Sequence, residues 1–469
     1  MNQAVELTDY VGLSFFENAD GSASENRLLF QTTAIAPYSK TAVPYFPRRL
    51  LRSPTAVNQR LFMSSNALTP TKALIASVTG YAMDGFDLLL LGFMLPAITA
   101  GLNLTSSEAG SLVTWTLVGA VAGGLIFGQL SDRYGRVRML SICILTFSLF
   151  TGLCSLAQGY WDLLIFRTLA GFGLGGEFGI GMALIAETWP VNRRNRMSSY
   201  VGMGWQAGVL AAALLTPLLM PYIGWRGMFL VGLIPAVLSF AIRHTMDEPE
   251  EFLKAAASPM SFTGRFSGLF KDAATTKASV GVMVLTSVQN FGYYGIMIWM
   301  PSYLSKQFGF SLIASGAWTG VTVVGMALGI WLFGQLADRF CRWKIFLLYQ
   351  VCAAVMVLVY ANLTDATAML FAGAVMGVFV NGMIGGYGAL ISDLYPVQIR
   401  ATAQNVLFNV GRGVGGFGPL AVGAVALHYS FSTAIMLLAS IYVLAMAATL
   451  FLLPKSQDGV KALDGVCQL

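Results

Sequence analysis

The stretch GQLSDRYGRVR runs from Gly128 to Arg138, and a related stretch, GQLADRFCRWK, runs from Gly334 to Lys344. The offset between them is 206 residues, the difference between positions 334 and 128. The same ungapped offset matches further pairs: Gly171 with Gly377, Glu187 with Asp393, Pro190 with Pro396, and Arg194 with Arg400. A register kept over so long a stretch indicates an internal duplication. The sequence therefore predicts two related halves.

Long apolar runs flank both copies of the motif. Of the 469 residues, 56% are hydrophobic and only 11% are charged, whereas soluble proteins carry about 25% charged residues. After residue 72 we find about twelve apolar runs of about 20 residues or more, each long enough to cross a hydrocarbon core of about 30 Å. The sequence predicts an all-α polytopic membrane protein with about twelve transmembrane helices in two pseudo-symmetric six-helix bundles.

The runs and the loops between them divide the chain into segments. They are a disordered N-terminal tail (1–71), a first bundle (72–243), a central loop (244–276), a second bundle (277–453) and a C-terminal tail (454–469). Met63 is an alternative start of the chain, because a short polar segment leads from it into the first run. Basic residues gather on one side of the predicted helices, so we expect both termini and the central loop to be cytoplasmic, in a bacterial inner membrane.

Five charged residues fall deep inside predicted spans: Asp84, Asp87, Arg167, Glu177 and Arg412. A charge at the bilayer centre costs about 2.5–3.5 kcal/mol, so these side chains must face an interior. Asp84 and Asp87 are three residues apart and share a helix face, and two carboxylates in a dry site do not both ionise easily. We expect these acids and Glu177 to carry protons. The alternative is structural, with one acid capping a neighbouring helix and the other bridging to Arg167.

Arg412 is the deep charge of the second half. Its planar guanidinium suits a carboxylate and stays charged at any physiological pH. At the 206-residue offset the buried acids align with neutral residues, so we expect the first half to bind protons and the second to bind an anion. The candidate substrate-binding set is Arg412, Gln206, Asn290, Tyr293, Asn381 and Asn409. The alternative for Arg412 is a structural ion pair.

Other classes of protein lack their signatures. The two histidines and five cysteines are dispersed without the spacing of a metal site. There is no phosphate-binding loop, no nucleophile elbow and no basic surface typical of nucleic-acid binding. We therefore expect neither an enzyme nor a metal or cofactor, and duplicated halves with buried titratable groups favour alternating access over a channel.

Four motifs resemble a known family. The two loop stretches and RTLAGFGLGG from Arg167 resemble the major facilitator superfamily. Within it, DGFD from Asp84 and GGEFGIGMALIAETWPVNRRNR from Gly175 are similar to the proton-coupled branches that carry aromatic acids, muconate, sialate or related carboxylates. The resemblance implies proton-driven uptake of a small organic anion by a monomer, with Arg167 taking part in proton coupling. The alternative is a carrier or exporter of a neutral solute such as a sugar or drug, in which Arg412 is only structural.

The resemblance also implies a cytoplasmic gate built on the loop motif. Asp132 and Arg136 are expected to close it, together with Glu187 and Arg194. The full candidate set is Gly128, Asp132, Arg133, Gly135, Arg136, Glu187, Arg194, Asp338, Arg339, Asp393 and Arg400. The alternative is that these basic loops serve only to orient the chain. In the second copy Cys341 replaces the turn glycine, which weakens the expected gating role there.

Overall fold

The computed structural model describes residues 68–256, 260–300 and 312–454, together with positions 304, 308 and 309. The predicted N-terminal tail up to residue 67, including Met63, and the C-terminal tail from 455 lie outside the described residues. The first helix begins at Pro70, two residues before the predicted bundle boundary, because Thr69 caps it by accepting from the Lys72 amide at 3.3 Å. Among the described residues the chain is helical, with no strand.

The first half consists of helices joined by short loops. They are α1 (Pro70–Leu102), α2 (Ser106–Tyr134), α3 (Arg136–Leu153), α4 (Tyr160–Thr188), α5 (Arg194–Val231) and α6 (Ile234–Thr245). The backbone of α5 is interrupted at Gly224, where φ is 63° and ψ is 178°. Only glycine adopts this conformation readily, so one helix ends at this break and a second begins, which α6 continues.

Two short helices occupy the central loop, and the second half follows them. These are α7 (Glu250–Ala256), α8 (Phe262–Ser267), α9 (Ala273–Met297), α10 (Leu312–Ala337), α11 (Arg342–Asn362), α12 (Ala366–Gly382), α13 (Ile384–Leu394), α14 (Arg400–Gly415), α15 (Gly418–His428) and α16 (Phe431–Phe451).

Nine segments of the described chain are long and apolar enough to cross a membrane. One of them, Val191–Leu238, is 48 residues long and contains the break at Gly224, so it makes two crossings. Helix α9 falls outside the nine because polar residues such as Gln289 and Asn290 lower its hydropathy, and α14 falls outside because it is only 16 residues long. Helix α14 also carries buried polar side chains, namely Gln404, Asn405, Asn409 and Arg412. With these two, the spans fit the predicted architecture of about twelve helices.

The duplication extends to helix packing. A Cβ on Gly119 or Gly123 of α2 would lie 2.1 or 1.8 Å from backbone oxygens of α4, so only glycine permits this approach. The equivalents in the second half, Gly325 and Gly329 on α10, meet α12 with distances of 2.0 Å each. Both pairs are separated by the 206-residue offset. The pseudo-symmetric fold predicted from the loop motifs is thus present in the helix contacts.

The halves meet through a small set of helices. Helix α14 packs against α2 and α4, while α10 and α13 pack against α5. Both copies of the loop motif lie at one end of this interface, which we call the motif end and define by Gly128–Arg138 and Gly334–Lys344. Buried polar residues of α1, α9 and α14 lie further along the interface.

Candidate functional site

The motif end is held by contacts between the two halves, and Asp132 makes the largest number of them. Its carboxylate accepts from the amides of Ala401 at 3.1 Å and Thr402 at 2.7 Å, and from the Thr402 hydroxyl at 2.6 Å. The Arg136 Nη2 atom lies 3.0 Å away. Asp132 at the end of α2 therefore caps the N-terminus of α14, where a negative charge complements the helix dipole.

The second motif copy makes the reciprocal contact. Asp338 accepts from the Arg196 amide at 3.3 Å, near the start of α5, and the Arg196 Nε atom lies 3.6 Å away. Helices α5 and α14 are related by the 206-residue offset. Burial raises the pKa of Asp338 above its ordinary value, and its hydrogen bonds oppose that shift. Each half thus caps the equivalent helix of the other half.

Two further acids bind arginines at the same level. The Glu187 carboxylate lies 3.0 Å from Nη2 of Arg136 and 3.7 Å from Nη1 of Arg400. Its equivalent, Asp393, binds Arg342 at 2.7 Å and also contacts Arg194. The pairs of Glu187 with Arg400 and of Asp393 with Arg194 join the two halves. The pairs with Arg136 and Arg342 lie within one half each.

Two predicted members of the gate, Arg133 and Arg339, lie apart from this network. Both side chains are exposed, and within the described part of the chain neither makes an ion pair. Sequence reasoning grouped them with Asp132 and Asp338 because they are adjacent along the chain.

The glycines of the first motif have separate roles. A Cβ on Gly128 would lie 2.8 Å from the Asn405 side chain, so this glycine lets α2 approach α14. Gly135 has φ of 116°, which makes the turn into α3. Glu248 of the central loop packs against that turn and accepts from the Val137 and Arg138 amides at 3.1 and 2.9 Å. Glu248 was not predicted as a site residue, because in the sequence it is one of several acidic residues in a polar loop.

A polar cavity lies between the halves, away from the motif end. Arg412 lines it, with Nη2 3.5 Å from Oδ1 of Asp84 and Nε 3.4 Å from the Tyr294 hydroxyl. The guanidinium carbon lies 5.1 Å from the centre of the Trp205 ring, and the Trp205 indole donates to the Tyr293 hydroxyl at 3.2 Å. The cavity is therefore walled by one cation and several aromatic rings.

Amide side chains form another part of the wall. Gln289 donates to Oδ1 of Asn381 at 2.5 Å, and Asn290 donates to the Thr286 carbonyl at 2.8 Å. Four members of the predicted substrate-binding set line the cavity: Arg412, Asn290, Tyr293 and Asn381. Lining residues outside that set are Tyr81, Trp205, Gln289, Tyr294, Ile384 and Phe408. Apart from the polar Gln289, these side chains are aromatic or apolar, and in a sequence such residues are typical of ordinary helix packing.

Gln206 and Asn409 are not among the residues that line this cavity. The Asn409 amide donates to the Gly175 carbonyl of α4 at 2.9 Å, in space left by Gly124. Gln206 approaches the Met326 sulfur of α10 at 3.8 Å. Both side chains contact the opposite half instead. Gly124 leaves room for the Asn409 amide, and the flexible Met326 side chain reaches Gln206.

Asp87 and Arg167 form a separate buried pair. Arg167 donates to both carboxylate oxygens, at 3.2 and 3.0 Å, and Thr151 donates to Oδ1 at 2.6 Å. The structure therefore places Asp84 and Asp87 beside different arginines, although they are three residues apart. The contacts of Asp87 match the alternative given from the sequence, in which one of the two acids forms a structural bridge to Arg167.

Glu177 on α4 is buried among apolar groups and glycines. Neither of its carboxylate oxygens has a hydrogen-bond partner within the described chain, and one lies 2.0 Å from where a Cβ of Gly80 would stand. Gly80 precedes Asp84 by one turn on α1. Oδ2 of Asp84 also lacks a partner there. Glu177 and Asp84 are thus the incompletely bonded acids near the cavity.

The chain has two repeated helical halves, a polar and charged cavity between them, and contacts that hold the halves together at the motif end. This architecture is typical of a membrane carrier rather than an enzyme. The family comparison agrees: the model for the Major Facilitator Superfamily matches residues 78–363 and 282–465. The chain belongs to the Major Facilitator Superfamily, whose members are integral membrane transporters.

Individual relatives narrow this description. A Haemophilus influenzae protein named "Putative metabolite transport protein" is 64% identical over 399 residues, covering 84% of this chain and 98% of its own. The "Probable 4-methylmuconolactone transporter" of Cupriavidus pinatubonensis is 35% identical, over 77% of this chain and 85% of its own. The solved proton:xylose symporter XylE shares the fold, with a TM-score of 0.68 and 19% identity over 82% of this chain and 96% of its own. The resemblance to organic-acid carriers read from the motifs is confirmed by the relatives.

Proposed function

We propose that this protein takes up a small organic anion together with protons, as a monomer in a bacterial inner membrane with both termini cytoplasmic. The observation that carries the proposal is Arg412, a permanent cation in the wall of a buried cavity. Its one ion pair among the described residues, to Asp84, is long at 3.5 Å. A guanidinium held this loosely by its acid can accept a carboxylate in a planar, two-pronged contact.

The surroundings of Arg412 fit a planar substrate. The Trp205 and Tyr293 rings offer faces for stacking, and the amides of Gln289 and Asn381 supply donors and acceptors elsewhere in the lining. A cis,cis-muconate or aromatic acid has both a flat body and a carboxylate. The name of the C. pinatubonensis relative, with its muconolactone, supports an acid of this kind.

The pair of Arg412 and Asp84 also suggests how protons are coupled. A substrate carboxylate that binds Arg412 competes with Asp84 for the same cation. Asp84 then lies buried without a counter-charge, and taking up a proton removes that cost. Proton and anion binding therefore favour each other. Glu177 of α4, which packs against Gly80 one turn from Asp84 and has no hydrogen-bond partner in the described chain, is the second proton carrier.

The contacts at the motif end bear on the direction of loading. The helix caps and ion pairs around Asp132 and Glu187 close that end. If the motif end is cytoplasmic, as its basic loops favour, the cavity in this arrangement loads from the periplasmic side.

Proteoliposomes test the proposal. With the purified protein, labelled cis,cis-muconate should accumulate when the outside is acidic, and a protonophore should abolish the accumulation. Labelled xylose serves as the neutral solute. Accumulation of xylose but not of muconate, in a manner independent of Arg412, would instead support a neutral-solute carrier.

A further inference from the structure

A second cavity lies at the motif end, separate from the one around Arg412. The first half contributes Asp132 and Arg133 at the end of α2, the central loop contributes Phe252 and Arg265, and the second half contributes Val397. Three parts of the chain therefore build it. Because Val397 comes from the second half, the cavity is complete only while the halves meet at this end.

Arg265 is the unusual residue of this cavity. It is only 3% exposed, its Nη1 atom reaches the Gln129 carbonyl at 3.5 Å, and Nε has no partner within the described chain. No acidic side chain among the described residues forms an ion pair with it. Burial lowers the pKa of this guanidinium. A buried cation without a paired anion is costly, so an anion bound beside Arg265 would stabilise it.

The acid that lines the cavity does not supply this charge. The Asp132 carboxylate is already occupied by the Thr402 and Ala401 amides and by Arg136 at 3.0 Å. Arg133 adds a second guanidinium that makes no ion pair within the described chain. Two arginines thus face a small space whose one carboxylate is engaged elsewhere.

We propose that this cavity binds a phosphate-type oxyanion between Arg133 and Arg265, and that the bound anion stabilises the arrangement in which the motif end is closed. Guanidinium groups match the oxygens of a phosphate with paired hydrogen bonds. The anion is either a soluble phosphate or the headgroup of an anionic phospholipid, since both present the same oxygens. Because the cavity opens when the halves part, the anion favours the closed state by its differential affinity. This site is independent of the transported substrate.

Thermal unfolding of the full-length protein tests the site with two probes. One arm adds inorganic phosphate to protein in detergent, against chloride at the same ionic strength. The other compares nanodiscs of phosphatidylcholine with nanodiscs that also contain phosphatidylglycerol. We expect Tm to rise in at least one arm. Arg265→Gln should raise the half-saturating probe concentration about tenfold or more, as expected for the loss of a charge-assisted hydrogen bond. The control Arg193→Gln, an exposed arginine at the same end, should respond like wild type.

The outcomes separate the sources. A response to phosphate assigns a soluble ligand, and a response to phosphatidylglycerol alone assigns a lipid. No response in either arm overturns the proposal, as does an undiminished response in Arg265→Gln. If Arg265→Gln does not fold, Arg133→Gln removes the exposed partner without disturbing buried packing, and an undiminished response there is equally contradictory.

Discussion

At the scale of single residues, the two acids of the DGFD motif have different environments. Asp87 has hydrogen bonds to both oxygens from Arg167 and one from Thr151. Asp84 has a single long contact, to Arg412, and one oxygen without a partner in the described chain. The first arrangement suits a fixed structural pair, and the second suits a group that changes partner during transport.

Asp87→Asn should therefore reduce stability more than Asp84→Asn. Removing one charge of a buried ion pair typically costs about 3–5 kcal/mol, because the remaining charge is left without compensation. The Tm of each variant in detergent, compared with wild type, measures this. If the decrease in Tm of Asp87→Asn were equal to or smaller than that of Asp84→Asn, the pair of Asp87 with Arg167 would not be structural.

Asp84→Asn should separate binding from coupling. The neutral amide mimics the protonated acid, so muconate exchange between the two sides of a liposome should persist while accumulation driven by a pH gradient is lost. Counterflow and gradient-driven uptake, measured on the same liposomes, distinguish these activities. Retained gradient-driven accumulation in this variant would mean that Asp84 does not carry the proton.

The sequence predicted which residues are important at this scale better than it predicted their partners. Burial of Asp84, Arg167 and Arg412 follows from the cost of charges in a bilayer. Pairing does not follow, because Asp84 and Arg412 come from different halves and meet only through tertiary packing. Of the aromatic wall, Tyr293 was predicted, whereas Tyr81 and Phe408 were missed because aromatic residues in a helix carry no signal that separates a cavity from a core.

At the scale of helices, the duplicated glycines explain why α2 packs so closely on α4, and α10 on α12. Backbone oxygens of the neighbouring helix occupy the space of the missing side chains. Polar residues that face the interior lower the hydropathy of α9, and α14 is only 16 residues long. Both spans were nevertheless predicted as apolar runs, and at the 206-residue offset α9 aligns with α1 and α14 aligns with α5.

Gly123→Ala should destabilise the protein by about 1–3 kcal/mol, the usual cost of overpacking a well-packed contact. Its Cβ would stand 1.8 Å from the Phe172 carbonyl oxygen, whereas a Cβ on Gly110, in the same helix, would meet nothing within 4 Å. Gly110→Ala is thus a matched control and should leave Tm unchanged or slightly raised. Similar Tm values for the two variants would contradict the packing argument.

At the scale of the whole molecule, the two halves contact each other at the motif end through reciprocal helix caps. The caps are unequal: Asp132 accepts from two backbone amides of α14 and from the Thr402 hydroxyl, whereas Asp338 accepts from one backbone amide of α5, at 3.3 Å. The turn differs too, because Gly135 has φ of 116° and Cys341 has φ of −57°. The loss of the second glycine indicated this asymmetry, but the caps themselves depend on how the halves meet.

Asp132→Asn should open the motif end more than Asp338→Asn does. Spin labels at positions 193 and 339, both exposed, would report the distance between the halves in a chain with its native cysteines replaced. We expect the distribution of distances between the two spin labels to shift to larger values chiefly in Asp132→Asn. A larger shift in Asp338→Asn would contradict the unequal caps.

The central claim is that Arg412 binds the carboxylate of a transported anion, and one comparison tests it most directly. Uptake of labelled cis,cis-muconate into proteoliposomes under an inward proton gradient should be strong for wild type, reduced at least about tenfold for Arg412→Gln, and partly restored in Arg412→Lys, which keeps the charge but not the planar fork. Uptake by a correctly folded Arg412→Gln protein at the wild-type rate would contradict the account.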